Sequence, residues 1–260
     1  MKKEVAIFFT ALMFYSRIPC PKNITHDPDY LNKATRYFPL IGWIVGLISG
    51  TTYFLMAPLL GTEIAVVLSM VAGILTTGAF HEDGFADVCD GFGGGWTKEK
   101  ILKIMKDSAI GAYGAIGILL LLLLKFAALV QLLDNYASFF DVIVVFITAY
   151  AISRWIASTI IFTSEYVRED ELSKSKPIAK AYTWREVVGT GFFGLLPFVY
   201  FVAQDVKFSI AILPVFLIRL YMERYFKKWI GGYTGDCLGA TQQVCEVVFY
   251  LSIIGIWKFI

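Results

Sequence analysis

Long apolar segments constrain this chain more than any other feature of its sequence. The 260 residues are 57% hydrophobic and only 17% charged, a composition that soluble domains rarely show. A helix needs about 20 mostly apolar residues to cross a bilayer. Stretches near that length lie at about 37–60, 62–82, 111–133, 139–162, 187–203, 207–222 and 238–260. The sequence therefore predicts an all-α, polytopic integral membrane bundle of about seven transmembrane helices.

Two shorter segments are expected to accompany these spans. Residues 4–15 are apolar but too short to cross a bilayer, so we expect an interfacial or re-entrant helix there. Residues 97–107 place lysines opposite apolar side chains, a pattern that predicts an amphipathic helix at the cytoplasmic surface. No linker or internal repeat divides the chain, and residues 1–260 are expected to form one domain.

The distribution of positive charge predicts the orientation of the bundle. Lysines and arginines concentrate in alternate connections, at residues 17–36, 83–110, 163–186 and 223–237, whereas the other connections are nearly bare. Because basic loops stay on the cytoplasmic side of a membrane, we expect these four connections to face the cytoplasm. The chain is thus predicted to be a multi-pass protein of a bacterial or archaeal cytoplasmic (inner) membrane. The net charge of +2 gives no reason to expect a nucleic-acid partner.

An acidic stretch at residues 80–114 holds the candidate reactive groups. Asp83, Asp87 and Asp90 stand at i, i+4 and i+7, so on a helix they share one face. Like charges on one face repel each other, and a divalent cation would remove that repulsion. Mg²⁺ commonly binds one or two carboxylates together with substrate phosphates. A solvated acidic helix end is the alternative interpretation.

The surroundings of these acids favour the metal site. A loop of three glycines follows them, and the lysine-rich segment 97–107 comes next. Acids beside lysines are expected at a site for a phosphorylated substrate. Replacing the aspartates by asparagine is expected to leave the fold as stable as before or slightly more stable, because repulsion is relieved. His81, next to the acids, is interpreted as a neutral packed histidine rather than as a ligand or a base.

Further polar residues lie in or near the last predicted spans. Asp236 opens the final span, either as a helix cap or as part of the polar site. Arg154 and Glu246 lie at similar depth inside two spans, and ionisable groups in a membrane are usually paired. We expect Arg154 to pair with Glu246 or to reach a substrate phosphate, and we assign no role to Lys125.

Several motifs, in order along the chain, resemble those of the cobalamin-5′-phosphate synthase family, also called adenosylcobinamide-GDP ribazoletransferases. They are FYSRIPCP (14–21), YFPLIGWIVG (37–46), FHEDGFADVCDG (80–91), IMKDSAIGAYG (104–114) and GDCLGA (235–240). The resemblance implies a Mg²⁺-dependent membrane enzyme. Such an enzyme joins adenosylcobinamide-GDP to α-ribazole or its 5′-phosphate and releases GMP, the last assembly step of cobalamin biosynthesis. Two positions depart from the family pattern, where arginine is expected at Ala109 and glutamate at Gln243.

The resemblance and the residues together imply a set of site roles. The expected catalytic residues are Asp83, Asp87, Asp90 and Asp107. The expected metal ligands are Glu82, Asp83, Asp87 and Asp90. The expected substrate-binding residues are Lys106, Ser108, Arg154, Asp236 and Glu246. Asp90 and Asp107 are both candidates for the base that deprotonates the attacking hydroxyl.

Two other functions remain open at this stage. A CDP-alcohol-type phosphotransferase would use similar acids with a lipid alcohol as acceptor. A cation transporter would place its acids near the middle of the membrane, whereas these acids lie at the predicted cytoplasmic end. The expected partners are small-molecule substrates and the lipid bilayer, and a homo-oligomer is compatible with the sequence.

Overall fold

A computed structural model gives the structure of residues 2–24, 27–134, 136, 138–168 and 182–260. The α-helices in these ranges are α1 Lys2–Tyr15, α2 Pro28–Ala34, α3 Phe38–Leu60, α4 Thr62–Thr77, α5 Phe80–Gly94, α6 Lys98–Ile104, α7 Ala112–Leu133, α8 Phe139–Thr163, α9 Trp184–Leu195, α10 Phe198–Gln204, α11 Ile212–Ile230 and α12 Gly235–Phe259. Short 3-10 helices occupy Thr35–Tyr37 and Val206–Ala211. The described residues form no strand, only one isolated bridge between Tyr166 and Tyr233, and this confirms the all-α prediction.

Several helices are long and apolar enough to cross a membrane. Four qualify alone: α7, α8, α12 and a continuous stretch, Asp29–Leu60, that contains α3. The bent pairs α4 with α5 and α9 with α10 raise the number to six if each pair is one span. These six match six of the seven predicted spans and indicate a multi-pass membrane protein. The seventh is not confirmed, because α11 carries five charged residues, Arg219, Glu223, Arg224, Lys227 and Lys228.

The second predicted span, 62–82, is broken where the acidic stretch begins. Helix α4 ends at Thr77, and α5 leaves at 90° to it. Gly78 (φ 69°) and Ala79 (φ 58°) are both left-handed at this corner. The Arg17 backbone N–H donates to the Thr76 carbonyl over 2.7 Å, so the segment after α1 packs against the corner. The acids therefore lie on a helix of their own.

Helices α1 and α6 occupy the two shorter segments that were expected beside the spans. One side of α1 is buried in the core through Ile7, Ala11 and Tyr15. A location of α1 at the membrane interface stays a prediction. Helix α6 lies within 97–107, with Ile101 buried and its lysines exposed, and its location at the cytoplasmic surface stays a prediction.

Close helix packing brings α3 against α8, a largely buried helix. Glycines that recur every four residues predict a face for close helix packing, and Gly42, Gly46 and Gly50 of α3 lie along this contact. A Cβ on Gly42 would lie 2.7 Å from the Tyr150 carbonyl oxygen, and one on Gly46 would lie 2.8 Å from Cα of Ile147. Only glycine permits this approach.

The connections separate into two ends according to their charge. At one end the connections with few basic residues meet through ring contacts between Phe54 and Phe139 (5.0 Å), Tyr136 and Trp257 (5.2 Å), and Phe208 and Trp257 (6.2 Å).

Basic connections meet at the other end, which also holds α5 and α6. Arg168 donates to the Met105 carbonyl over 3.1 Å, and Lys227 donates to the Thr163 carbonyl over 3.0 Å. Within the predicted basic connection 163–186, residues 169–181 lie outside the described ranges.

Candidate active site

The acidic helix α5 meets the start of α12 through glycines. A Cβ on Gly84 would lie 3.0 Å from Cα of Asp236, and one on Gly239 would lie 3.2 Å from the carbonyl oxygen of His81. Backbones that approach this closely bring the HEDG and GDCLGA motifs together. Asp236 is not the helix cap, because the Thr234 hydroxyl caps α12 by accepting from the Cys237 N–H. The structure thus places Asp236 beside the acids of α5.

Three carboxylates form an acidic cluster at this junction, consisting of Asp83, Asp87 and Asp236. The charges of Asp83 and Asp236 act on Asp87, and that of Asp83 acts on Asp236. Asp83 is exposed and Asp87 is half-buried, on one face of α5 as predicted. Arg168 donates to Asp236 Oδ2 over 2.6 Å and partly balances the cluster. Among the described residues, no three acidic, histidine or cysteine side chains are placed to hold a metal by themselves.

Asp90, the third acid of the predicted face, is bound to the start of α7. Its Oδ2 accepts from the Gly111 N–H over 2.7 Å, and its Oδ1 accepts from the Gly114 N–H over 2.8 Å. A Cβ on either glycine would lie within 2.4 Å of an Asp90 oxygen. Asp90 therefore caps α7 from the neighbouring helix, a role that the sequence analysis did not foresee.

A basic cleft of about 460 Å³ opens next to the Arg168–Asp236 pair. Its charged lining consists of Lys98, Glu99, Lys103, Lys106 and Arg168. The pKa of Glu99 lies below its usual value because its backbone N–H and the Thr97 hydroxyl bond to the carboxylate. The cleft therefore carries four positive charges and one negative charge.

Asp107 and Ser108 lie in the turn between α6 and α7, next in sequence to Lys106. Both side chains are exposed. The Ala109 N–H donates to Asp107 Oδ1 over 3.1 Å, which holds the turn. Exposure leaves both residues accessible to a substrate that occupies the cleft.

The predicted pair between Arg154 and Glu246 is wrong. Glu246 Oε1 instead contacts Lys125 Nζ at 2.6 Å, with both side chains almost fully buried. Arg154 donates to the Tyr150 carbonyl of its own helix over 3.1 Å and lies over the rings of Tyr150 and Phe38. Lys125 on α7 faces α12, whereas Arg154 on α8 is held by aromatic rings. A lysine in a membrane segment requires a partner. The position of Lys125 inside a predicted span was therefore the sequence feature that indicated its burial in an ion pair.

Glu82 points away from the acidic cluster into the bundle. It is 9% exposed, and its Oε1 accepts from Gln243 Nε2 over 2.9 Å. His81 is also buried and stacks on Phe38, with ring centroids 5.7 Å apart, which agrees with a packed histidine. The structure therefore separates Glu82 from Asp83 and Asp87, the acids with which it was grouped as a metal ligand.

Comparison with known proteins connects this site to a family. The family model described as cobalamin-5-phosphate synthase matches residues 7–254. The chain belongs to that family. Two adenosylcobinamide-GDP ribazoletransferases are among the most similar curated relatives. The one from Shewanella frigidimarina is 45% identical, covering 98% of this chain and 96% of the relative. The one from Leptospira interrogans is 42% identical, covering 100% and 99%.

Membership of the cobalamin-5-phosphate synthase family confirms the resemblance carried by the motifs. It makes the chain an enzyme, a transferase that acts in the last step of cobalamin biosynthesis. No solved structure matches the chain.

Proposed function

We propose that the chain transfers the adenosylcobinamide phosphate group from adenosylcobinamide-GDP to α-ribazole or α-ribazole 5′-phosphate, with release of GMP. The observation that carries this proposal is the acidic cluster of Asp83, Asp87 and Asp236 next to the basic cleft. Acids and cations side by side suit a diphosphate substrate. The curated relatives, which match nearly the whole chain, are named for this reaction.

Magnesium fits the acidic cluster, although the described residues hold no preformed trio of ligands. Carboxylate oxygens are the donors that Mg²⁺ prefers, and one or two of them with substrate phosphates are its usual protein environment. Asp83 and Asp87 would hold the ion. Bound there, Mg²⁺ would supply neutralisation of negative charge on the diphosphate.

The residues of the cleft would orient the diphosphate for attack. Lys98, Lys103 and Lys106 would bind its oxygens, and Arg168 would do so beside Asp236. Such chemistry depends mainly on alignment and charge stabilisation. The α-ribazole hydroxyl oxygen attacks the phosphorus attached to the cobinamide, and the bond from that phosphorus to the GMP oxygen breaks.

One acid must take the proton of the attacking hydroxyl. Of the two candidates, Asp90 is buried and accepts two backbone N–H groups, whereas Asp107 is exposed beside the cleft. We therefore favour Asp107 as the general base. The site would lie at the cytoplasmic face of the inner membrane, because it is at the basic end of the bundle.

The test is a transfer assay with the purified full chain in detergent. Adenosylcobinamide-GDP, α-ribazole and Mg²⁺ are expected to yield GMP and an adenosylcobalamin product in equal amounts. Asp83→Asn and Asp87→Asn are each expected to lower turnover by about 100-fold or more, because charge stabilisation is lost. Asp134→Asn removes an exposed aspartate at the far end of α7 and serves as the matched control.

Two results would contradict the proposal. One is the absence of GMP release with either ribazole acceptor, and the other is full activity of the folded Asp83→Asn and Asp87→Asn variants. Release of GMP only when a lipid alcohol is the acceptor would instead support the CDP-alcohol-type reaction.

A further inference from the structure

A chain of buried polar contacts leads from the interior of the bundle to the acidic helix. It begins with the Lys125–Glu246 ion pair at 2.6 Å. Gln242 Nε2 donates to Glu246 Oε2 over 2.8 Å, and its own Oε1 accepts from Gln243 Nε2 over 3.1 Å. Gln243 Nε2 also donates to Glu82 Oε1 over 2.9 Å. Contacts of 3.1 Å or less therefore connect α7 with α5 through α12.

The residues that make these contacts are buried, so their polar groups need partners within the protein. Gln242 and Glu246 are 0% exposed, and Lys125 and Gln243 are 2% exposed. A polar group buried without a partner costs free energy, so each member depends on its neighbour. Glu82 Oε2 and Gln243 Oε1 are buried without a hydrogen-bond partner. The Glu82 carboxylate is stabilised by the bond from Gln243, by its own backbone N–H and by the charge of Lys125.

The position of Glu82 in the first turn of α5 links this contact to the direction of Asp83 and Asp87. Adjacent residues on a helix differ by about 100° in direction, so holding Glu82 inward turns Asp83 and Asp87 toward Asp236. Helix α5 has no side-chain N-cap, and its N-cap residue is the left-handed Ala79 at the corner with α4. The Glu82–Gln243 bond therefore supplies a polar anchor where the first turn lacks its own.

We propose that Glu82 is a positioning residue, held by Gln243 and, through it, by the Lys125–Glu246 pair. This anchor sets the rotation of α5 and therefore the direction in which Asp83 and Asp87 point. The proposal replaces the metal-ligand role expected for Glu82 from the sequence. It rests on the proposed function, because Asp83 and Asp87 are the groups that it aims.

Paired substitutions at position 82 separate the two roles. Glu82→Gln keeps an oxygen that accepts from Gln243 Nε2 but removes the charge, whereas Glu82→Met removes both. A positioning role predicts that turnover falls by about tenfold or more in Glu82→Met and much less in Glu82→Gln, because the amide oxygen still accepts from Gln243. A metal-ligand role predicts equal losses in both, and that result would overturn the proposal.

The partner side of the bond is tested with Gln243→Met, an apolar residue of similar size. Its turnover is expected to fall at least as far as in Glu82→Met, because it also removes the donor to Gln242 Oε1. The double variant should lose little more than Gln243→Met, because the Glu82–Gln243 bond is absent from all three variants. Ser252→Ala is the control on the same helix, since the Ser252 hydroxyl donates only to the Val248 carbonyl of its own helix. Additive losses in the double variant would contradict a shared bond.

A second measurement does not depend on catalysis. Hydrogen exchange of backbone amides in residues 83–94 should be faster in Gln243→Met and Glu82→Met than in the parent or in Ser252→Ala. Exchange in residues 41–57 of α3 should be unchanged and reports that the variants are folded. If the parent releases no GMP, the proposed function fails while this measurement still tests the anchor. Unchanged exchange in α5 of a folded variant would overturn the anchor itself.

Discussion

Asp90 accepts two backbone N–H groups at the start of α7, so its carboxylate stabilises the junction of two helices. An asparagine offers one oxygen to these two donors and lacks the charge that favours a helix N-terminus. We expect Asp90→Asn to lower the free energy of unfolding by about 1–3 kcal/mol. Asp83→Asn removes the same charge from an exposed position and should change it by less than about 0.5 kcal/mol.

Unfolding of the two variants in detergent, followed by circular dichroism, measures this difference. A loss of stability in Asp90→Asn departs from the expectation from sequence, in which all three aspartates destabilise the helix by repulsion. Equal stability of Asp90→Asn and Asp83→Asn would show that the cap of α7 contributes nothing.

Lys125 and Asp236 show what the sequence reveals about single residues. A lysine inside an apolar segment indicates a buried charge, but helical periodicity does not indicate which neighbouring helix supplies its partner. Glu246 was therefore paired with the wrong cation. Asp236 was predicted to join the polar site because its motif opens a span on the same predicted side as the acids, and the structure brings its backbone against Gly84.

The corner between α4 and α5 carries strain in its backbone. Ala79 has φ 58°, a left-handed conformation that costs a residue with a Cβ about 1 kcal/mol. We expect Ala79→Gly to raise the free energy of unfolding by up to about 1 kcal/mol. Gly78→Ala should lower it by more, because φ is 69° there and the added Cβ would lie 2.4 Å from Nε of Arg17.

Thermal unfolding of both variants beside the parent measures the two opposite shifts. A destabilised Ala79→Gly variant would mean that the alanine methyl group stabilises the corner through packing. Because strained residues collect at functional sites, the activity of Ala79→Gly in the GMP-release assay should be recorded alongside.

The helices differ in how well the sequence predicted them. The α3 glycines predicted a packing face, because a four-residue spacing on a helix is readable without its partner. The break at Thr77 was missed, although Gly78 follows it and glycine commonly ends a helix in the left-handed conformation. Isolated glycines also occur within membrane helices, so Gly78 alone did not predict the corner. The roles of Asp90 and Glu82 were missed for a related reason, since spacing defines a helix face but not the helix that it contacts.

The whole bundle has one end with few basic residues and one basic end, and α11 connects them. Phe208, just before α11, contacts Trp257 near the end of α12, and Lys207 donates to the Ile260 carbonyl over 3.2 Å. At its other end α11 stops at Ile230, a few residues before α12 begins at Gly235. Helix α11 therefore runs antiparallel to α12 along most of its length.

This arrangement favours a crossing by α11 despite its charges. If α12 crosses the membrane, the ends of α11 beside it lie on opposite faces. The charged residues of α11 fit such a crossing because Arg219 bonds to Glu223 over 2.7 Å and to the Thr159 hydroxyl over 2.9 Å. Lys227 and Lys228 then lie at the basic end, which is the end predicted to face the cytoplasm.

Single cysteines introduced at Lys100, Tyr136, Lys207 and Lys228 test this topology in intact cells. The four native cysteines, which are free thiols, are replaced by serine or alanine beforehand, and GMP release by this background confirms that it is folded. A membrane-impermeant thiol reagent should label Tyr136→Cys and Lys207→Cys from outside. Lys100→Cys and Lys228→Cys should react only after permeabilisation. Labelling of positions 207 and 228 from the same side would remove α11 from the crossing helices, and agreement between positions 100 and 136 would contradict a crossing by α7.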